Sequence, residues 1–183
     1  MKALRTKEIV NCQLSVNHQY SKSTEFERDF REYADYIGSG LSQYFSLLRP
    51  WNELQITSEF AKYPQYFPIF QSCNVGTKSN TWCCKCAKCL YVYIMLAAFI
   101  NRETVNEIFG ADLLSDPELA PILHALKNPE VDKPFECVGT REEVNHALYM
   151  IENNMNEPPD SGLLSRFNES HFVPEVFLRV FSK

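Results

Sequence analysis

Glycine is scarce in this chain: six in 183 residues, scattered along its length. The nearest approaches to a phosphate cradle, Gly38-Ser39-Gly40 and Gly76-Thr77-Lys78, lack the longer run of backbone amides that wraps a nucleotide phosphate, so a P-loop is excluded. Apolar runs are short too. The longest, Leu90 to Ile100, falls well short of the roughly 20 residues needed to cross a bilayer, and it reads as a buried helix. No basic start followed by an apolar stretch and a small-residue cleavage site opens the chain, so export is not expected and the cytoplasm is the default compartment. Acidic residues are missing between Phe60 and Arg102, where Lys62, Lys78, Lys85, Lys88 and Arg102 supply the charge. That cluster is not the long basic stripe of a nucleic-acid binder. The acids return from Glu103 onward and bring the net charge to −5, that of a soluble acidic protein.

What the chain has in quantity is apolar and aromatic residues, 45% and 13%, which exclude disorder and suffice for one domain with its own core or for one part of a larger enzyme. It also has seven cysteines, an odd number, with four crowded at Cys83, Cys84, Cys86 and Cys89. Disulfides would be cramped there, and the pattern points to metal ligation instead. Cys83-x2-Cys86-x2-Cys89 makes two of the turns that present thiolates to one ion, and Cys73 across a nine-residue loop can complete a tetrahedron. Cys84 is then expected to point elsewhere, because adjacent residues rarely reach one metal together. Zinc is the expected ion. An iron–sulfur cluster, which uses the same Cys-x2-Cys spacing, is the alternative. A closed four-thiolate site has no open coordination position, so its role would be structural. The lysines around it have two readings: they offset the charge of the thiolates, or Lys78 and Lys88 meet an anionic substrate.

The expected fold class is α+β, mainly helical. Ser23 or Thr24 caps a helix through Tyr36, with Phe26, Phe30, Tyr33 and Ile37 at helical spacing, and Gly38 and Gly40 break it. A short helix over Leu41 to Leu48, stopped by Pro50, and a short element over Glu53 to Phe60 follow. Tyr63 to Gln71 reads as irregular, and Cys86 to Arg102 as one buried helix starting inside the cysteine cluster. Further helices are expected at Glu103 to Phe109, Pro117 to Lys127, Arg141 to Asn153 and Pro174 to Phe181. The stretch 154–162, with Pro158 and Pro159, is the linker candidate.

Ser72-Cys73-Asn74-Val75-Gly76-Thr77, Ser79-Asn80-Thr81-Trp82-Cys83 and Cys86-Ala87-Lys88-Cys89 resemble the zinc segment of the UDP-N-acetylmuramoyl-L-alanyl-L-glutamate epimerases. Val16-Asn17-His18-Gln19-Tyr20-Ser21-Lys22-Ser23 and Lys133-Pro134-Phe135-Glu136-Cys137-Val138-Gly139-Thr140 resemble the same family in the same order. Cys84 departs from the pattern, which has Gly there. The resemblance implies a single region, 1–183, similar to the epimerase C-terminal domain, with a zinc knuckle at 72–90 that stabilises the C-terminal region of an ATP-pyrophosphatase-like α/β enzyme.

The activity it implies is an isomerase of peptidoglycan precursor synthesis. ATP activates the terminal glutamate carboxyl of a UDP-muramoyl dipeptide, and the α-centre is then inverted. His18, Lys22 and Cys137 are the candidates for catalysis or ligand contact. ATP and Mg2+ would be bound by an N-terminal ATP-binding half or subunit, and without it this chain is expected to be inactive. No nucleic-acid or membrane partner is expected. The rival readings are a zinc-stabilised binding or assembly module and a remnant of a 7-deazapurine synthase of queuosine biosynthesis. The latter has a similar four-cysteine site but leaves the segments around His18 and Cys137 unexplained.

Overall fold

Two four-residue strands, β1 (Lys7–Val10) and β2 (Gln13–Val16), pair antiparallel with Lys7 opposite Val16 and Val10 opposite Gln13. They open the computed structural model, which describes residues 7–10, 13–16, 20–38, 40, 43–159 and 161–181. The rest of the described chain is mainly helical. It divides into two compact units, one of residues 1–50 with 167–183 and one of residues 51–166.

In the first unit, Ser23 accepts a hydrogen bond from the Phe26 N–H at 3.0 Å and so caps α1 (Thr24–Tyr36), as the sequence predicts. The inner face of α1 buries Glu27, which is 1% exposed and takes an ion pair from Arg49 at 3.0 Å. The expected helix over Leu41 to Leu48 is not formed: residues 43–46 are irregular and 47–50 make a turn. Tertiary contacts win over weak local propensity there. The Tyr44 ring sits 4.6 Å from Phe30, and its carbonyl accepts from Arg31 at 2.9 Å, while a short uncapped segment has no means to nucleate a helix alone.

The second unit is built around one helix. A reciprocal capping box between Asn52 and Gln55 starts α2 (Glu53–Phe60), and the amides of both residues also reach the Leu163 and Leu164 carbonyls. A run of turns leads to α3 (Ala87–Ala97), which is apolar on nearly every side and correspondingly buried. The sequence predicts α3 to continue to Arg102; it stops five residues earlier. The Phe99 and Ile100 N–H groups fold back on the Leu96 carbonyl, and the Asn101 side chain caps the Thr104 N–H to begin α4 (Arg102–Phe109). Asn101 is a cap signal that the absence of Gly and Pro had hidden. Gly110, at φ 72°, ends α4 in the left-handed conformation. A 3-10 turn at Pro117–Leu119 leads into α5 (Ala120–Lys127), and a second capping box, Thr140 with Glu143, starts α6 (Arg141–Glu152). Helices α2, α4, α5 and α6 all pack on α3. The chain then returns to the first unit, where α7 (Glu175–Leu178) lies.

Candidate metal centre and the groove beside it

Local backbone geometry explains why four sulfurs converge. Cys73 is followed by a tight turn in which the Ser79 and Thr81 N–H groups both donate to the Gly76 carbonyl. A Cβ at position 76 would overlap the Thr81 carbonyl oxygen, so only glycine lets the turn close. Cys86 then occupies the N-cap of α3 and accepts from the Cys89 N–H at 3.4 Å, which places Cys89 one turn into the helix. The sulfurs of Cys73, Cys83, Cys86 and Cys89 lie within 4.8 Å of one another, with Cys86 to Cys89 at 3.5 Å and Cys83 to Cys89 at 3.7 Å. Zinc–thiolate bonds of about 2.3 Å in a tetrahedron space the sulfurs roughly 3.8 Å apart, so the donor set fits one ion of that size.

The electrostatics also call for a cation. Burial would raise the Cys73 thiol, but the Cys83 and Gly76 N–H groups and the neighbouring thiols hold it at about 6. Burial pushes Cys86 up to about 11 and Cys89 upward as well. Cys86 and Cys89 therefore hold their protons near neutral pH unless a positive ion sits beside them, and a divalent metal would favour their thiolates.

Cys84 lies outside the cluster. Its backbone takes φ 56°, and its sulfur contacts the Phe109 carbonyl at 3.2 Å. The left-handed φ is the physical reason for a glycine pattern at this position. The Trp82 ring packs between Phe109 at 4.5 Å and Phe70 at 5.5 Å, tying the metal loop to α4.

The Lys133 to Thr140 segment has a visible structural task. The Glu136 carboxylate accepts from the Lys88 N–H at 2.9 Å and so satisfies an amide in the first turn of α3. The Lys133 ammonium donates to the Val138 and Gly139 carbonyls, the former at 2.9 Å. Gly139 admits the Tyr91 hydroxyl where a Cβ would clash. That hydroxyl donates to Glu53 at 2.8 Å, and Glu143 accepts from the Glu53 N–H and the Thr140 hydroxyl, each at 2.7 Å. The segment thus ties the start of α3 to the start of α6. Burial, then the charges of Glu53 and Glu143, push the Tyr91 hydroxyl upward, so it remains a donor.

The remaining sequence candidates belong to both units. His18 lies outside the described residues. Lys22 is exposed at the end of a 3-10 turn in the other unit, and its carbonyl accepts from Arg49 at 2.7 Å. Cys137 is half-buried and carries no disulfide. Of the five central cations, Lys62, Lys85 and Arg102 pair with Glu59, Glu118 and Asp112. Among the described residues no carboxylate forms an ion pair with Lys78 or Lys88.

Sequence reasoning missed a groove of about 780 Å³ beside the metal loop, walled by Phe70, Trp82 and Phe109 and rimmed by Gln71, Asn80 and Glu107. Its polar rim comes from three separate segments, which no local pattern announces. It also missed the Glu27–Arg49 pair, whose members are 22 positions apart.

The family model described as the MurL C-terminal domain matches residues 69–171, and that of the MurL N-terminal domain matches residues 5–47. Three curated relatives are each named UDP-N-acetyl-alpha-D-muramoyl-L-alanyl-L-glutamate epimerase. That of Salinispora tropica is 40% identical over 74% of this chain and 31% of its own length. That of a Micromonospora species is 42% identical over 74% and 31%, and that of Xanthomonas oryzae pv. oryzae is 36% identical over 83% and 35%. The chain therefore spans about a third of the length of the curated relatives it matches. No solved structure matches. With a family model covering more than half of its residues, this chain belongs to the MurL epimerase family.

Proposed function

We propose that this chain is the zinc-stapled part of an ATP-dependent epimerase that converts the terminal L-glutamate of UDP-N-acetylmuramoyl-L-alanyl-L-glutamate to D-glutamate during cytoplasmic synthesis of peptidoglycan precursors. The observation that carries this reading is a closed four-sulfur cluster lying inside a segment matched to the MurL C-terminal domain. Zinc is the ion the donor set favours, and with four thiolates around it its task is structural. ATP and Mg2+ belong to an ATP-pyrophosphatase-like portion of the full-length protein.

The chemistry follows from the acidity of the α-carbon. A glutamate carboxylate resists loss of its α-proton because a second negative charge would gather beside the first. Attack of the carboxylate on the α-phosphorus of ATP expels pyrophosphate and leaves an acyl-adenylate, whose carbonyl can take up the carbanion charge as an enolate. One group removes the proton and another returns a proton to the opposite face. Water then cleaves the anhydride to AMP and the D-glutamyl carboxylate. We assign Lys22 to an anionic group of the substrate or nucleotide, His18 and Cys137 to proton transfer, and Lys78 and Lys88 to substrate phosphates.

The test is ATP-dependent deuterium exchange at the glutamate α-carbon. The chain alone should show none, and the chain combined with the ATP-binding portion of a MurL relative should show exchange. Exchange by the chain alone would overturn its incompleteness, and none by the reconstituted pair would overturn the epimerase reading.

A further inference from the structure

The groove beside the metal loop is built for a neutral planar ring. Its walls are the Phe70, Trp82 and Phe109 rings, a surface on which a flat base can pack. The volume, about 780 Å³, lies within the range of small-molecule sites. Among the described residues no lysine, arginine or histidine lines it, and Glu107 supplies its one formal charge. Phosphates and carboxylates are therefore disfavoured, and a ring edge bearing an N–H is favoured.

The polar rim is preorganised. Asn80 ends the Gly76 turn in the left-handed conformation, φ 52°, with its side chain exposed at the groove. Gln71 is fixed by donating to the Thr81 carbonyl.

We propose that this groove is the subsite for the uracil ring of the UDP-linked substrate, with Glu107 accepting from the ring imide N–H, Asn80 donating to the neighbouring carbonyl and the aromatic wall of Phe70, Trp82 and Phe109 covering the ring. The inference rests on the epimerase reading. Of the groups in that substrate, the diphosphate and carboxylates are anions and the sugar has no flat aromatic face, which leaves the base. Because the ATP-binding portion is assigned outside this chain, uracil is the base that falls to it.

The test titrates the zinc-loaded chain with uridine and, separately, adenosine, following saturation transfer to the ring protons and quenching of tryptophan fluorescence. Uridine should bind. Asn80→Gly removes the amide while keeping the left-handed turn, and Glu107→Ala removes the acceptor from an exposed position of α4. Each should weaken uridine about five- to tenfold, the loss of one hydrogen bond, with zinc content unchanged. Absence of uridine binding, adenosine preferred over uridine, or both variants binding uridine as the parent does would each overturn the proposal. The two readings fail separately. Loss of uridine binding with exchange intact in the reconstituted enzyme sinks the groove alone, whereas uridine binding without exchange sinks the epimerase.

Discussion

At Cys84 the usual ranking of alanine over glycine should invert. A non-glycine residue held at φ 56° carries about 1–2 kcal/mol of left-handed strain. Cys84→Ala keeps that strain and loses the sulfur that contacts the Phe109 and Trp82 carbonyls, for a loss of about 1 kcal/mol. Cys84→Gly relieves the strain, loses the same sulfur, and adds about 0.5–1 kcal/mol of chain entropy in the unfolded state. The glycine variant should therefore stay within about 1 kcal/mol of the parent and exceed the alanine variant by about 0.5–1 kcal/mol. Elsewhere in a regular element the order is reversed by a similar amount. For a chain of this size the gap corresponds to roughly 1–4 °C in thermal midpoint. Scanning calorimetry at saturating zinc reads the rank order, and metal analysis should find one zinc per chain in the parent and both variants. An alanine variant more stable than the glycine variant would refute the strain argument, and zinc loss from either would make Cys84 a ligand.

Cys89→Ser should release the metal and destabilise residues 51–166 by loosening the loop between α2 and α3, since metal binding is coupled to folding; metal analysis and Trp82 fluorescence check both effects. Gly76→Ala forces a methyl group into the Thr81 carbonyl and displaces the N–H that donates to the Cys73 sulfur at 3.2 Å. It should destabilise by at least about 2 kcal/mol and weaken zinc in a chelator competition, whereas a mild effect on both would refute the tight-turn reading. His146 is 4% exposed, neither ring nitrogen has a hydrogen-bond partner, and burial lowers its pKa against the pull of Glu157 and Glu142. Its folded pKa lies below the unfolded value, so stability is full above about 6.5 and declines as pH falls through it; His146→Met should flatten that decline in denaturant midpoints between pH 7 and 5.

How legible these features were depends on whether the cause is local. Ser23 as cap, the Glu53–Phe60 element and the pairing of Arg141 with a helix start are set by neighbours three or four residues away, and they stand in the structure as the sequence predicts. The Leu41 to Leu48 segment failed because its conformation is decided by Phe26, Phe30 and Arg31, more than ten residues upstream. The end of α3 was misplaced for the opposite reason. A local signal, Asn101, was present but lay inside an unbroken stretch free of Gly and Pro. The convergence of Cys73, Cys83, Cys86 and Cys89 was readable from spacing because the turns that gather them are local. Glu136, which completes the helix start those cysteines occupy, comes from 48 positions beyond Lys88 and leaves no pattern.

The location of the cluster shows what a metal would do in a domain that already has a core. Between α2 and α3 the chain runs through more than twenty residues whose regular structure, among the described residues, is two 3-10 turns. Such a segment forms few repeating backbone hydrogen bonds, yet it must hold Phe70 and Trp82 against α4. A metal joining Cys73 to Cys83, Cys86 and Cys89 would close this loop onto the first turn of the most buried helix, so that order in the irregular segment follows from order in the core. Apolar packing alone would not fix the loop, since Val75 and Ile69 are 71% and 72% exposed. A bound ion would therefore set the shape of the groove wall from outside the groove. Zinc removal should then abolish ring binding even where α3 and its neighbours remain folded.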